Sequence, residues 1–549
     1  MENILTTGYT GFIINLTKKV GFLMKLSSKA RYGLKACLAL AENYNENQPL
    51  ALPVFAEKAG VTEAYMEQIV ILLKKADIVE SVRGAGGGYY LKKSPKDIKV
   101  GSVLRALEDG LEFIDCINTP CEGGEECKAR RVWNKIYKSM NLVLDSLTLD
   151  DLLHDQKRYI YLDHSATTAV DEEVLSKMLP YFCEKAGNAS SQHGMGRDAE
   201  VAVDRARKQV ADAIGAKSNE IYFTSGGSES DNWALKGIAH AYKSKGKHLI
   251  TSEFEHPAVL NTMKQLEAEG FEVSYLHTNP QGYVSADELE SIIRPDTILV
   301  SVMYANNEIG TIQPIEELAK VAHAHGAFFH TDAVQAIGNV HIDVKAQGID
   351  LLSMSAHKFY GPKGIGCLYI KSGVRPERLI CGGEQERNQR AGTTNTPGVV
   401  GMGFAIEKAV NNMDENNAYI AALRDEFVKE VKERIPDIRY NGGEKRLAGN
   451  AHFTFRYIEG ESILFTLDLA GICASSGSAC SSGSLEASKT VLAIGVPAEE
   501  AHGSIRFTFG RENTMDDVKY TVDELEKTVK RLRSMSPLFA ESTAKITMI

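Results

Sequence analysis

From Tyr159 onward, short apolar runs alternate with longer amphipathic segments, and this alternation limits the possible folds more than any other feature of the chain. The apolar runs are EIYFTS (220–225), HLITSE (248–253), TILVSVMYA (297–305), AFFHTDA (327–333) and DLLSMSAH (350–357). Strands that alternate with helices form a parallel sheet covered by helices on both faces. Ligands bind at the carboxyl ends of the strands of such a sheet. We therefore expect an α/β body whose site residues follow directly after strands.

The N-terminal part has a different pattern, which is typical of a helix-turn-helix. Residues 53–60 form a short predicted helix that ends at a glycine, and Thr62 caps a second predicted helix over 63–78. The segment SVRGAGGGYYLKK (81–93) then predicts a two-stranded hairpin with a glycine-rich tip. Two helices joined by a short turn and followed by such a hairpin predict a winged helix.

Charge supports a nucleic-acid partner for this part alone. The 549-residue chain carries a net charge of −10, which argues against a protein that binds polyanions over its whole surface. Residues 25–105 nevertheless hold 13 basic and 8 acidic side chains, a net charge of +5, whereas residues 106–156 hold 5 and 11, a net charge of −6. The positive charge is therefore local to the predicted winged helix.

The nine cysteines are too few for a disulfide scaffold and odd in number, so we expect a reducing, cytoplasmic compartment. Three of them, Cys116, Cys121 and Cys127, have the spacing C-x4-C-x5-C, which suits a soft metal or an iron–sulfur cluster. A disulfide between two of these three cysteines would leave the third thiol unpaired. No apolar run approaches the roughly 18 residues that span a bilayer, and we expect neither a signal peptide nor a membrane anchor.

Domain boundaries follow from these changes in pattern. Residues 1–23 form an N-terminal extension ahead of Met24, where a start-like segment begins. Residues 24–153 form the winged-helix domain, including a long helix predicted over 129–153 for dimerisation or interdomain contact, and HDQKR (154–158) is the linker. The α/β part covers residues 159–549.

Four strand ends in the α/β part carry residues suited to chemistry. TSGGSES (224–230) joins a predicted strand to a helix, where backbone N–H groups hold phosphate. Asp332 is either a helix N-cap or the partner of a protonated pyridine nitrogen. Lys358 is either solvated or a Schiff-base nucleophile, and His256 is either structural or a group that stacks on a planar ring. Together the four are what pyridoxal phosphate requires.

Six ordered motifs extend this combination: LDHSATT (162–168), ANNEIG (305–310), HTDAVQ (330–335), SAHKFYGPKGIG (355–366), RAGTTN (390–395) and SSGSACSSGS (475–484). Together they closely resemble cysteine desulfurases of the NifS/IscS type, from about residue 159 to about 535. The resemblance implies an α/β, fold-type-I pyridoxal-phosphate-dependent transferase that forms a homodimer. It also implies a large domain with a parallel or mixed sheet over about 173–415, and a small α+β domain from 159–172 and 416–549.

The resemblance assigns the following roles. Lys358 would carry the cofactor covalently, Asp332 would keep the pyridine nitrogen protonated, and His256 would stack on the ring and serve catalysis. The other cofactor contacts would be Gly227, Ser228, Asn307, Gln335, Ser355, His357 and, from the partner subunit, Thr393. Asn307 and Arg506 would bind the substrate, with Arg506 clamping its carboxylate. Many family members have Thr where this chain has Ser228, and the hydroxyl is kept.

Cys480 determines the class of reaction. Its flanks are serine, glycine and alanine, which are poor core, so a mobile loop is favoured over a buried cysteine. The resemblance makes the Cys480 thiolate the nucleophile that takes sulfur from L-cysteine as a persulfide and leaves alanine. The loop resembles that of the group that feeds iron–sulfur scaffolds, and selenocysteine fits the same attack. Cys473 is flanked by apolar residues and is predicted to be core.

Residues 24 to about 153 resemble the IscR-like winged-helix regulators. Carried over, Tyr65 and Glu67 of the 63–78 helix would contact bases or backbone of operator DNA, and Arg83 would enter the minor groove. The three cysteines would bind an iron–sulfur cluster. Relatives often place a histidine ligand three residues after the last cysteine, where this chain has Arg130, so either another residue completes the site or the cluster is labile or absent.

Three hypotheses follow. The first is a cysteine desulfurase fused to an iron–sulfur-responsive, DNA-binding regulator, with L-cysteine as substrate and a scaffold or other protein as sulfur acceptor. The second is a regulator whose pyridoxal phosphate domain is a catalytically silent sensor. In the third, the enzyme is active and the N-terminal domain serves only dimerisation or sulfur docking. Intact Lys358, Cys480 and Arg506 favour an active enzyme over a sensor.

Overall fold

A computed structural model of the chain describes residues 27–44, 49–84, 87–108, 111, 127–154, 159–476 and 487–539. The chain divides into two compact units, Met1–Arg158 and Tyr159–Ile549. Four of the predicted features lie outside the described residues, wholly or in most of their length: the extension 1–23, the linker 154–158 beyond its first residue, the pair Cys116 and Cys121, and Cys480. Within the described ranges, no helix has both the length and the apolar character that a bilayer span requires.

The first unit is a small helical body with one hairpin. Its helices are Ser28–Glu42, Leu52–Ala59, Glu63–Lys75, Val100–Leu107, Lys128–Ser146 and Leu149–His154. Its strands β1 (Val79–Val82) and β2 (Gly88–Leu91) pair antiparallel. The predicted helix pair and hairpin are therefore present, and the helix pair packs on a shared apolar core that includes Phe55, Met66, Ile69 and Leu73.

Local sequence explains where these helices begin and end. Gly60 has φ 73°, a left-handed conformation that ends the helix Leu52–Ala59 and that glycine adopts at little cost. The Thr62 hydroxyl accepts the Tyr65 N–H and starts the next helix. That helix stops at Lys75, three residues before the predicted end, and Asp77 follows with φ 62°.

The long helix predicted over 129–153 is wrong as a single element. It is broken after Ser146, because the Leu147 carbonyl accepts the Val100 N–H at 2.9 Å and the Leu149 N–H donates to the Ile98 carbonyl at 3.0 Å. Thr148 then caps the second helix, accepting the Asp151 N–H at 3.1 Å. Competition from these backbone partners, which periodicity cannot reveal, interrupts the helix.

The second unit is built on a seven-stranded mixed sheet with the order β4-β10-β9-β8-β7-β5-β6. Its strands are β4 (Ile221–Thr224), β5 (His248–Ser252), β6 (Glu272–Leu276), β7 (Thr297–Ser301), β8 (Phe328–Asp332), β9 (Leu351–Ser355) and β10 (Gly366–Ile370). All pairs are parallel except those of β10, which runs antiparallel to β4 and β9. Each of the five predicted apolar runs contains one of the parallel strands or β4.

Helices cover this sheet and connect its strands. They are Glu172–Met178, Pro180–Cys183, Gly194–Ala213, Gly227–Tyr242, Pro257–Ala268, Ala286–Ile292, Ile315–Ala324, Thr396–Asn411 and the short kinked segment Gln385–Asn388. Two apolar clusters form the core, one containing Val210, Phe329 and Met402 and the other containing Trp233, Leu249 and Leu351.

A second core lies in the last part of the chain together with residues just after Tyr159. Strands β11 (Ile438–Asn441), β12 (Asn450–Phe455) and β14 (Ser504–Thr508) form an antiparallel sheet, and β3 (Ile160–Tyr161) pairs parallel with β13 (Ile472–Cys473). The helices here are Met413–Arg434, Gly460–Leu469, Lys489–Ala493, Ala498–Ala501 and Met515–Met535. Phe427 packs against Phe453, Phe507 and Phe509 at the centre.

Candidate active site

The turn between β4 and the helix Gly227–Tyr242 forms a shallow cradle of backbone. A Cβ on Gly227 would lie 2.7 Å from Val334 Cγ2, and one on Gly226 would lie 3.7 Å from Ser355 Oγ. Gly227 is therefore packed closely against Val334, which follows β8, while Gly226 makes ordinary contact with Ser355 at the end of β9. Backbone N–H groups at the start of a 16-residue helix point into this space, with the exposed Ser228 beside them.

Glycine at position 366 is needed for this close approach. A Cβ there would lie 2.6 Å from Gly226 Cα and 2.6 Å from the Met354 carbonyl oxygen. Real side chains do not fit at such distances, so any substitution would push the Gly226 turn outward.

Lys358 sits in a short 3-10 turn directly after β9. Its Nζ donates to the Ala166 carbonyl at 2.7 Å and to the Ser165 carbonyl. The side chain is half-buried. The ammonium is thus directed towards the LDHSATT segment.

Gln335 shares one of these acceptors. Its Nε2 donates to the Ser165 carbonyl at 2.9 Å, and the residue is 8% exposed. One backbone carbonyl therefore joins Gln335 and Lys358, two residues that the sequence assigned to the same cofactor.

Asp332 ends β8 and is buried. One carboxylate oxygen accepts the Val334 N–H at 2.9 Å. Burial raises the pKa of the Asp332 carboxyl, while His256 and Lys358 act in the opposite direction. A cation that replaces lost hydration is what this carboxylate requires in order to ionise.

His256 caps the helix Pro257–Ala268, with Nδ1 accepting the Ala258 N–H at 3.1 Å. In a neutral ring this leaves the proton on Nε2. His256 lies close enough to Asp332 to lower the pKa of its carboxyl, so these two predicted residues lie in one site.

His357 lies in the same 3-10 turn as Lys358, and Ser355 directly precedes that turn. Burial lowers the pKa of His357 to about 4, so its ring is neutral at physiological pH. Its Nδ1 lies 3.1 Å from Thr167 Oγ1. Ser355 is 4% exposed and lies behind the Gly226 turn.

Arg506 lies on β14 and is 2% exposed. Its Nη1 donates to the Asn307 carbonyl at 2.9 Å and its Nη2 to the Asp163 carboxylate at 2.7 Å. Its Nε is buried and makes no described hydrogen bond. The structure thus brings both predicted substrate residues together and adds Asp163.

Glu308, next to Asn307, links this loop to a distant segment. Its carboxyl accepts from Ser488 Oγ at 2.5 Å and from Thr490 Oγ1 at 3.1 Å. Burial raises the pKa of Glu308, and the two hydroxyls and Arg506 oppose this. Ser488 follows closely on the segment that contains Cys480.

Two predicted residues are not brought to this site by the described part of the chain. Thr393 is exposed and makes no described hydrogen bond to the other site residues. Cys480 lies outside the described residues, although Ser475, just ahead of its segment, pairs with the Arg506 backbone. Cys473 is half-buried in β13, and burial raises the pKa of its thiol.

These residues fit pyridoxal phosphate. The Gly226–Gly227 turn leaves space at a helix start for a phosphate, Asp332 offers a buried carboxylate for a pyridinium, and Lys358 supplies the amine. The chemistry of the donors therefore matches the groups of this cofactor one by one.

In the first unit, the predicted DNA contacts lie on the surface. Glu67 and Arg83 are exposed, and Tyr65 packs edge-on against Tyr32 with ring centroids 6.3 Å apart. Arg31 lies over the Tyr32 ring at 4.5 Å. Arg31 and Tyr65 thus both contact the Tyr32 ring.

Of the three clustered cysteines, Cys127 is described, half-buried at the start of the helix Lys128–Ser146. Cys116 and Cys121 lie outside the described residues. Arg130 stands in the first turn of that helix and is half-buried. No metal-binding group of three or more ligands occurs within the described ranges, which hold one of the three thiols.

Sequence reasoning missed the roles of several residues. The motif LDHSATT predicted no role for Asp163 or for the Ser165 carbonyl. A backbone carbonyl that acts as an acceptor cannot be recognised from a sequence. Glu255 and Asp231, which stand beside the predicted His256 and Ser228 segments, were also missed.

The chain matches two protein families, one in each unit. The aminotransferase class-V family matches residues 160–521, and the Rrf2 family, described as iron-dependent transcriptional regulators, matches residues 26–155. The cysteine desulfurase IscS of Dictyoglomus turgidum is 53% identical over 382 residues, which are 69% of this chain and 97% of that protein.

Two solved structures are similar to the second unit. A NifS-like protein superposes with a TM-score of 0.65 at 37% identity, covering 68% of this chain and 100% of that one. A structure titled "SspA in complex with cysteine" superposes with a TM-score of 0.58 at 38% identity, covering 65% and 100%. The predicted fold-type-I architecture and the winged-helix regulator are confirmed by these matches.

Proposed function

The chain belongs to the aminotransferase class-V family and carries an N-terminal regulator domain of the Rrf2 type, and from this premise we propose that it is a cysteine desulfurase fused to a DNA-binding regulator. The observation that carries the enzymatic half is that Lys358 and Arg506 both bond to the segment 163–166 and that Lys358 acts electrostatically on the buried Asp332. The IscS relative matches almost over its whole length, which supports L-cysteine as substrate and pyridoxal phosphate as cofactor.

Substrate binding falls to Arg506. Its buried Nε is a donor without a described acceptor, and its two terminal nitrogens hold Asn307 and Asp163 in place. A carboxylate that reaches this guanidinium forms a charge-assisted pair in a site shielded from water. The amino group of L-cysteine is then directed towards the Lys358 side of the site.

Lys358 has two tasks. Its amine would attach the cofactor, and its free Nζ would take the proton from the substrate α-carbon. The carbonyls of Ser165 and Ala166 hold the nitrogen in place. When bound, pyridoxal phosphate supplies the electron sink for this proton removal.

Asp332 and His256 keep the site polarised. The Asp332 carboxylate would bind the pyridine nitrogen and favour its protonated form, and the His256 ring lies close enough to act electrostatically on Asp332. His357, neutral because its pKa is about 4, donates or accepts hydrogen bonds without adding charge.

Sulfur transfer belongs to Cys480. Its thiolate attacks the sulfur of L-cysteine, an S–S bond forms and the substrate C–S bond breaks. The electron pair of that bond stays with the carbon skeleton, which takes up one proton at the β-carbon, regains one at the α-carbon and leaves as alanine. The enzyme retains a Cys480 persulfide, which a scaffold or other acceptor protein then receives.

A homodimer fits the surface of the second unit. Exposed apolar side chains occur on its first helices, namely Leu175, Leu179, Phe182, Met195 and Val201. The exposed Thr393 would then reach the phosphate of the partner subunit. Exposed apolar side chains mark a protein interface where they form one patch.

Alanine and persulfide formation from L-cysteine test the enzymatic half. The full chain should release alanine and become persulfidated at Cys480, Cys480→Ser should lose both, and Cys473→Ser should keep both. A protein that binds pyridoxal phosphate yet releases no alanine, with Cys480→Ser behaving identically, would instead be the silent sensor.

The regulator half is supported by the exposure of Glu67 and Arg83 and by the Arg31–Tyr32 pair. We propose that it binds operator DNA and that Cys116, Cys121 and Cys127 hold an iron–sulfur cluster. Binding of the full chain to DNA upstream of its own gene, weakening steeply with salt, is expected because phosphate contacts release counterions. No binding at low salt would favour an N-terminal domain used only for dimerisation or sulfur docking.

A further inference from the structure

Three buried carboxyls lie close together in the candidate active site: Asp332 at the end of β8, Glu255 three residues after β5, and Asp231 in the helix Gly227–Tyr242. Asp332 is 5% exposed, Glu255 is 5% exposed and Asp231 is 1% exposed. Asp332 acts electrostatically on both of the others, and Glu255 acts on Asp231. The proposed mechanism uses Asp332 alone.

Glu255 is fixed by two donors at one oxygen. Its Oε1 accepts from Ser252 Oγ at 2.5 Å and from the Met303 N–H at 2.8 Å, which ties the end of β5 to the segment after β7. Its Oε2 is buried and makes no described hydrogen bond. An ionised oxygen in that position would lose its hydration with nothing to replace it, whereas a protonated one loses much less.

Asp231 lies beside a neutral imidazole. Its Oδ1 is 3.7 Å from His330 Nε2 and makes no described hydrogen bond. Burial lowers the pKa of His330 to about 3, and its nitrogens lie 2.8 Å from Ser301 Oγ and 3.0 Å from Ser353 Oγ. Asp231 therefore has no charged imidazole to stabilise a carboxylate.

Repulsion among the three carboxyls decides which one is charged. Carboxylates that share a buried site cannot all ionise. His256 and Lys358 lower the pKa of Asp332. Among the described residues, Asp231 and Glu255 have only acidic charged neighbours, which raise their pKa values: Asp332 acts on both, and Glu255 also acts on Asp231. Burial raises the pKa of Glu255 to about 8 and that of Asp231 well above its usual range.

We propose that Glu255 and Asp231 are positioning residues held as neutral carboxylic acids, so that Asp332 is the single carboxylate beneath the pyridine ring. The proposal rests on the proposed cofactor site. Its structural basis is the two unpartnered buried oxygens and the grouping of the three carboxyls. Glu255 also fixes the backbone from which His256 begins its helix.

Infrared spectroscopy of the full chain tests the protonation directly. Buried protonated carboxyls absorb apart from ionised ones, and at slightly acidic pH Glu255→Gln and Asp231→Asn should each remove one component of that band. Glu253→Gln, which changes a half-buried neighbour with no role here, should leave the band intact. Loss of no component in either variant would overturn the proposal. Because the measurement works without added pyridoxal phosphate, it is independent of the proposed function.

A second measurement tests positioning. In protein loaded with pyridoxal phosphate, Glu255→Gln should keep the pH midpoint of the visible cofactor band within about 0.3 unit, because one neutral group replaces another. Glu255→Ala, which removes the acceptor of the Ser252 hydroxyl and the Met303 N–H, should weaken cofactor retention by roughly tenfold. A shift of a full unit or more in Glu255→Gln would mean that Glu255 is ionised and would overturn the proposal. Absence of a visible band in the unaltered protein would instead overturn the cofactor site.

Discussion

The guanidinium of Arg506 donates to the Asp163 carboxylate at 2.7 Å, joining two residues that stand 343 positions apart. Arg506 is 2% exposed, and its side chain also holds the Asn307 carbonyl at 2.9 Å. In the proposed function, a substrate carboxylate bound at Arg506 would share the guanidinium with Asp163. The pair sets the orientation of the arginine before substrate arrives.

Replacement of Arg506 by lysine should reduce kcat/KM for L-cysteine at least 100-fold, because an ammonium cannot reach Asn307, Asp163 and a substrate carboxylate together. The visible cofactor band should remain, since Arg506 does not hold the cofactor. Arg456→Lys, at an ion pair in the same lobe, is the matched control. An unchanged KM in Arg506→Lys would contradict the substrate role; alanine release over a range of L-cysteine concentrations measures it.

Replacement of Lys358 by alanine should lower alanine formation by about a thousandfold or more, since the covalent attachment and the proton acceptor are lost together. After borohydride reduction, mass spectrometry should find the cofactor on the peptide with Lys358 in the unaltered protein and on no peptide in the variant. Lys363→Ala, an exposed lysine on the same loop, should behave like the unaltered chain. Cofactor found on another lysine of the unaltered protein would contradict the assignment.

The contact between Glu308 and Ser488 should stabilise the helix Lys489–Ala493. Ser488→Ala leaves one oxygen of the buried Glu308 without its 2.5 Å donor and should cost about 1–3 kcal/mol of unfolding free energy. Hydrogen exchange at Lys489–Ala493 should accelerate in the variant. Ser534→Ala, on an exposed helical turn, is the control, and equal exchange in the two variants would show that the contact contributes little.

Acid should destabilise the protein partly through His452. Burial lowers the pKa of His452 to about 3, so between about pH 6.5 and 3 the unfolded chain binds a proton that the folded chain does not. Stability present above pH ~6.5 is therefore lost as the pH falls, by up to about 1.4 kcal/mol per unit for one proton. His452→Phe should flatten this slope in urea unfolding measured at several pH values, whereas His341→Phe, at an exposed residue, should leave it steep.

Arg83→Ala should weaken binding to operator DNA and lower the slope of log affinity against log salt by about 1, because an arginine in the minor groove displaces counterions as a phosphate contact does. Lys96→Ala, an exposed lysine on another part of the unit, is the matched control. If both variants bind like the unaltered chain, Arg83 lies outside the DNA interface; fluorescence anisotropy at several salt concentrations distinguishes these outcomes.

Much of the fold was open to prediction because its elements are specified locally. Each of the five apolar runs contains a strand, since buried strands need continuous apolar residues. Gly60 and Thr62 end and start helices through their own backbone and hydroxyl. The helix over 129–153 failed as one element because its break depends on Ile98 and Val100, which lie far away in sequence.

The sequence by itself determined which chemical groups this protein possesses: the Lys358 amine, the Asp332 carboxylate, the Cys480 thiol and the Arg506 guanidinium, each within a recognisable motif. Tertiary structure alone decided their states and partners. The Ser165 carbonyl holds Lys358 and Gln335 together, Asp163 orients Arg506, and burial beside Asp332 raises the pKa of Glu255 to about 8. Charge and hydrogen bonding depend on distance and on exclusion of water, and folding sets both by bringing together residues that the chain keeps far apart.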